Sequence, residues 1–119
     1  MDFRWTTLRV KDYEKSLEFY RDIVQLPVKT EFTMGENGRF AFLGEGETQI
    51  ELIHRPNDEK IFGDAITIGF RVDSLDDMIE FLKEKNIEIV GGPVQPTEDI
   101  RFIYVLDPNG LKVQFSESL

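Results

Sequence analysis

Glu51 in the run QIEL, the arginines Arg9 and Arg71, and the single tryptophan Trp5 are the side chains with most to offer a ligand or a reaction. A carboxylate held in an apolar site away from other charges can serve as a general base. Beside a guanidinium it stays an anion and becomes a structural or ligand-holding group. Both roles stay open for Glu51. A pair of guanidiniums can grip a carboxylate or phosphate in bidentate fashion, and either arginine can equally be taken up by an internal carboxylate, Glu51 included. An indole stacks on planar or cationic ligands, or fills space. Trp5 heads the run WTTLRV, where strand alternation puts Thr7 and Arg9 on its face.

What is missing narrows the chemistry further. No cysteine occurs, which excludes disulfides, thiolate metal sites and thiol nucleophiles. His54 is the only histidine, so imidazole-rich metal sites and two-histidine catalysis are excluded within one chain. It lies three residues past Glu51, where alternation sends it to the opposite face or into the turn.

The elements that must position these residues occur twice. LRVKDYEKSLEFY, residues 8–20, aligns with FRVDSLDDMIEFL, residues 70–82, at an offset of 62. Arg9 then falls on Arg71, Val10 on Val72, Glu18 on Glu80 and Phe19 on Phe81. RFAFL at 39–43 meets RFIYV at 101–105 at the same offset. QIEL at 49–52 meets KVQF at 112–115 at 63, an insertion that the loop LDPNG accounts for.

Each half repeats one grammar. WTTLRV reads as a strand, Asp12 as an N-cap, and Tyr13, Leu17, Tyr20 and Val24 as one helical face ending before Pro27. VKTEFT, RFAFL and TQIELI follow as strands, separated by the turn-rich runs MGENG and GEGE. In the second half AITIGFRV is a strand, and Ser74 an N-cap with Asp77 three residues on. Leu75, Met78, Ile79 and Leu82 form the helix stripe, and EIVGG, RFIYVL and KVQFS the later strands. DPNG suits a tight turn. GGPVQPTED, residues 91–99, carries two prolines and reads as a loop, and whether it acts as a lid stays open. The expected fold class is α+β: one domain over 1–119 made of tandem βαβββ modules, 1–57 and 61–119, joined by RPNDEK. Phe32, Phe40, Phe42, Phe102 and Tyr104 are expected mostly between sheet and helix, with one or two of them lining a ligand cavity.

The net charge of −9, from 14 basic and 23 acidic residues, lacks the electrostatic footprint for phosphate backbones, so no nucleic-acid partner is expected. It favours cations, or simply confers solubility. No apolar run approaches the roughly 20 residues of a membrane span, and MDFRW shows no signal-peptide core. No membrane partner and a cytoplasmic location are therefore expected.

TTLRVKDYEKSLEFYRDIVQLP, IELIHRP and DPNGLKVQF, together with the repeat, resemble the vicinal oxygen chelate superfamily, covering nearly the whole chain. That group includes glyoxalase I, bleomycin-resistance proteins, extradiol dioxygenases and methylmalonyl-CoA epimerase. The resemblance implies curled sheets enclosing a U-shaped cavity with the helices outside. In metal-dependent members, four side chains from the two modules bind one divalent ion. The matching positions here are Trp5, Glu51, Thr67 and Gln114, so one strong ligand remains. Zinc or nickel needs several N, O or S donors at about 2 Å, and an indole nitrogen only donates hydrogen bonds. No metal and no cofactor are expected on this ground. Arg9 matches an arginine that in glyoxalase I helps hold the glutathione carboxylate, and Arg71 is its repeat equivalent.

The resemblance therefore implies a metal-independent small-molecule binding protein, with Trp5, Arg9, Thr67, Arg71 and Gln114 lining the pocket. Glu51 is the catalytic candidate in the alternative, a glyoxalase I-type lyase or isomerase. A structural or dimerisation module with a filled cavity is the third expectation. Relatives often dimerise, which makes a homodimer the expected assembly. The ligand's charge stays open, because the acidic chain favours a cation and the paired arginines an anion.

Overall fold

A computed structural model of the chain describes residues 1–33, 35, 38–55 and 66–119. The chain divides into two compact units, Met1–Ile61 and Phe62–Leu119. In the first, β1 (Trp5–Arg9) leads into α1 (Tyr13–Glu18), which continues as a wider π turn over Phe19–Ile23. β2 (Val28–Thr33), β3 (Arg39–Leu43) and β4 (Gln49–His54) follow. The sheet order is β1-β4-β3-β2, with β1 parallel to β4 and the other pairs antiparallel. A parallel neighbour needs a crossover, and the helix supplies it.

The second unit repeats the plan: β5 (Thr67–Arg71), α2 (Leu75–Glu84), β6 (Gly91–Thr97), β7 (Ile100–Leu106) and β8 (Lys112–Ser118), in the order β5-β8-β7-β6. The fold is α+β, as the repeat implied. Its register obeys the same offsets: Thr7 lies opposite Glu51 in β1–β4, and Gly69 opposite Gln114 in β5–β8.

Both helices start where the sequence says they should. The Asp12 carboxylate accepts from the Lys15 amide at 3.1 Å, and the Ser74 hydroxyl from the Asp77 amide at 3.2 Å, each cap contributing about 1 kcal/mol. α1 buries Tyr13, Ser16 and Leu17. α2 buries Leu75, Met78 and Leu82, while Ile79 stays half-buried. Beneath them lie alternate strand residues: Leu8, Ala41, Leu43, Ile50 and Leu52 in the first unit, Ile103, Val105, Val113 and Phe115 in the second. Among the described residues no helix is long and apolar enough to cross a membrane.

Tyr13 ties α1 to the sheet. Its hydroxyl donates to Glu31 Oε1 at 2.7 Å, and the Arg39 guanidinium lies 4.0 Å from its ring centroid. Burial, then the hydrogen bond to Glu31 and that residue's charge, push the phenol's pKa far above its ordinary value. The folded chain thus holds this proton at pH values where the unfolded chain releases it. The stabilisation is fully present below about pH 10, the ordinary tyrosine value, and is lost as pH rises above it. Urea denaturation at stepped pH should show the stability gap between wild type and Tyr13→Phe shrinking above that point. A gap that is constant with pH would contradict this account.

Three expectations require correction. GGPVQPTED is not a loop, because residues 91–97 form β6. β6 is an edge strand, and its pairing with β7 is broken by register shifts between Gly91, Val94 and Thr97. Prolines are tolerated there because an edge strand leaves half of its amides outside the ladder. EIVGG is not a strand as a whole, since β6 begins only at Gly91. Gly92 has φ +82°, and a Cβ there would lie 2.6 Å from the Phe102 carbonyl oxygen, an approach only glycine permits.

The aromatic residues form the third correction. Phe40 and Phe42 alternate with Ala41 and Leu43, and Phe102 and Tyr104 with Ile103 and Val105. Small or aliphatic residues face the helices, and the rings stand on the opposite, helix-free face of each sheet. Phe32 pairs with Phe40 in register, and their rings stack at 4.9 Å. Residues 34, 36 and 37 of the expected turn MGENG, and 56–60 of the expected linker RPNDEK, lie outside the described residues.

Candidate functional site

On the first sheet's helix-free face, β1 presents Trp5, Thr7 and Arg9, all exposed, while Leu8 points into the core at 3% exposure. β4 contributes Gln49 and Glu51 to the same face, between the buried Ile50 and Leu52. The Thr7 hydroxyl donates to Glu51 Oε1 at 2.7 Å, which orients the carboxylate from the neighbouring strand. Phe42 of β3 is paired with Glu51 on its other side. Trp5 and Phe42 meet edge to face, with ring centroids 5.2 Å apart. β4 runs between their strands, so the two rings lean across it beside Glu51. The Arg4 guanidinium sits 5.2 Å from the Trp5 ring centroid, a cation–π distance.

The second sheet holds the other expected residues on its own helix-free face. Thr67, Gly69 and Arg71 are exposed along β5. Gln114 of β8 lies between Gly69 and Tyr104 in register. Its Nε2 donates to the Tyr104 hydroxyl at 3.2 Å. Gly69 makes room for this amide: a Cβ there would lie 3.2 Å from Gln114 Oε1. Lys112 places its ammonium 5.0 Å from the Tyr104 ring centroid. A hydroxyl thus braces a carboxylate in one unit, and at the equivalent position of the other a phenol braces an amide.

Trp5, Arg9 and Glu51 are brought to one face of the first sheet, and Thr67, Arg71 and Gln114 to the corresponding face of the second. His54 is turned elsewhere: its Nδ1 lies 3.0 Å from the Val10 carbonyl oxygen. The sequence did not single out Thr7 as the partner of Glu51 or Lys112 as a neighbour of Tyr104, and it offered Phe42 and Tyr104 only among five aromatics of which one or two were expected in the cavity. The repeat carried part of that signal, because RFAFL over RFIYV places Phe42 on Tyr104.

The four positions that the resemblance assigns to a divalent ion, Trp5, Glu51, Thr67 and Gln114, offer few donors suited to one. Trp5 has no lone pair to offer, Thr67 and Gln114 offer only a neutral hydroxyl and a neutral carboxamide oxygen, and Glu51 is the single strong donor. Among the described residues no group of three or more His, Asp or Glu side chains is arranged to hold a metal. This donor set does not fit zinc or nickel.

A family model described as the glyoxalase/bleomycin resistance protein/dioxygenase superfamily matches residues 3–115. The chain belongs to that superfamily. This superfamily member is 32% identical over 120 residues to a lactoylglutathione lyase of Neisseria meningitidis, covering 92% of the chain and 86% of that protein. It is 32% identical over 110 residues to the metallothiol transferase FosB of Staphylococcus epidermidis, covering 88% and 73%. Among solved structures, TnmS3, an antibiotic binding protein from Streptomyces sp. CB03234, shares the fold at TM-score 0.79 and 20% identity, covering 100% of this chain and 97% of that one.

Proposed function

We propose that this superfamily member binds a small organic molecule and does so without a metal ion. The observation that carries the reading is Trp5, an indole standing on β1 at the position where metal-dependent relatives place a ligand, 41% exposed and in contact with Phe42. An exposed, braced aromatic pair beside one oriented carboxylate suits an organic ligand better than an ion that demands several close donors. Arg9 offers a further polar contact on the same face of the first sheet, and Thr67, Arg71 and Gln114 line the helix-free face of the second sheet by themselves. That TnmS3 is an antibiotic binding protein supports a binding role on this fold.

A second reading, lyase or isomerase chemistry, is favoured by the identity to the lactoylglutathione lyase and by the retention of Glu51. In it Glu51 would take the proton, and an arginine would stabilise the resulting enolate.

Calorimetric titration of chelator-stripped protein with nickel and zinc separates the two. No binding that depends on Glu51 is expected, so wild type and Glu51→Ala should give matching traces. One-site binding at micromolar or tighter affinity, abolished in Glu51→Ala, would overturn the proposal and restore metal-assisted chemistry. Turnover of a glutathione hemithioacetal by wild type but not by Glu51→Ala would favour the second reading.

A further inference from the structure

We infer that the ligand group seated between the Trp5 indole and the Glu51 carboxylate is an organic cation, an ammonium or amidinium carried on a larger molecule. This rests on the metal-independent reading above and names the chemistry of that site. Three observations carry it. The Trp5 and Phe42 rings lean over β4 beside Glu51, so a π face and a carboxylate share one corner of the sheet. Thr7 donates to Oε1 of Glu51; a carboxylate accepts on both oxygens and retains further acceptor capacity after that single bond. The indole already takes a cation within the chain, the Arg4 guanidinium at 5.2 Å.

An organic cation needs what this corner provides, a quadrupole on one side and an anion on the other. A divalent metal needs several oxygen or nitrogen donors, which the corner lacks. The net charge of −9 raises the local concentration of cations around the protein. The opposing charges are the exposed Arg4 guanidinium, which the ligand cation must displace from the indole, and, on the same face of β1, Arg9. Arg9 lies four residues from Trp5 along β1, about 13 Å at strand spacing, which keeps the cation at the Trp5 end.

Trp5 is the only tryptophan, so its emission reports on the site directly. Benzyltrimethylammonium, benzyl alcohol and benzoate form a cationic, neutral and anionic probe set of similar size. Fluorescence titration, repeated by calorimetry, should give the ammonium at least tenfold tighter binding than the alcohol, with benzoate weakest. Glu51→Gln should erase the preference for the ammonium over the alcohol. A carboxamide oxygen still accepts from Thr7, so this variant keeps the local bond. Trp5→Leu, followed by calorimetry, should weaken the ammonium with Glu51 intact.

Equal binding of all three probes, or a preference for benzoate, would overturn the cation and leave the small-molecule reading standing. Failure of all three also overturns the cation. The broader reading falls only if a chemically diverse library likewise leaves both Trp5 emission and the thermal midpoint unmoved.

Discussion

Leu52→Ala should lower the stability of this protein by about 2–5 kcal/mol, the range for truncating a fully buried leucine. Leu52 is completely buried at the centre of β4. Its register partners are Leu8 of β1 and Ala41 of β3, on the face covered by α1. Ala41 has no side chain long enough to fill the space, and Leu8 is held by its own strand pairing. The cavity would therefore persist, and its persistence is what raises the cost above the loss of apolar burial alone. Urea denaturation should show a lower midpoint with an unchanged slope. A loss below about 1 kcal/mol would mean that the helix collapses onto the gap. Because Leu52 follows Glu51 but points to the opposite face, the binding of a probe at Trp5 should survive in the folded fraction.

Asp107→Ala is the second large effect, at about 2–4 kcal/mol. Asp107 is 5% exposed in the turn between β7 and β8. Its Oδ1 accepts from the Asn109 amide at 2.8 Å and the Leu111 amide at 2.9 Å, and its Oδ2 from Asn109 Nδ2 at 3.3 Å. Alanine would strand these donors in a buried turn, and an unpaired buried donor costs more than a hydrogen bond contributes. Asp107→Asn keeps the Oδ1 acceptor and should lose less than half as much. The turn also sets the register that brings Tyr104 opposite Gln114. In Asp107→Ala the near-ultraviolet signal of Tyr104 should broaden along with the loss of stability. A stable variant with an unchanged signal would show that the backbone bonds of the turn hold it alone.

How much of this was legible without a structure varied from residue to residue. Asp12 and Ser74 were readable as caps because capping is a local bond between a side chain and an amide three residues on. The faces of Trp5, Thr7, Arg9 and Glu51 were readable because strand alternation has a period of two and polar residues mark it. The duplication was readable because it preserves spacing. It carried the equivalence of Trp5 with Thr67 and of Glu51 with Gln114.

Alternation says nothing about a run such as RFAFL, in which four neighbours are apolar and either face could be the buried one. Packing decided that: Ala41 and Leu43 fit beneath α1, and Phe40 and Phe42 were left to the face that carries Glu51. GGPVQPTED likewise resembles a loop wherever prolines must give up ladder bonds, and only the order of strands shows that β6 is an edge. The bond from Thr7 to Glu51 joins residues 44 apart in sequence, and it exists because β1 lies parallel to β4 in one register. The amino-acid sequence by itself determined the elements, their duplication and the residues on offer, since each depends on local spacing. Tertiary structure alone decided which of those residues touch, because contact between strands is set by pairing register and by which side chains the helices can cover.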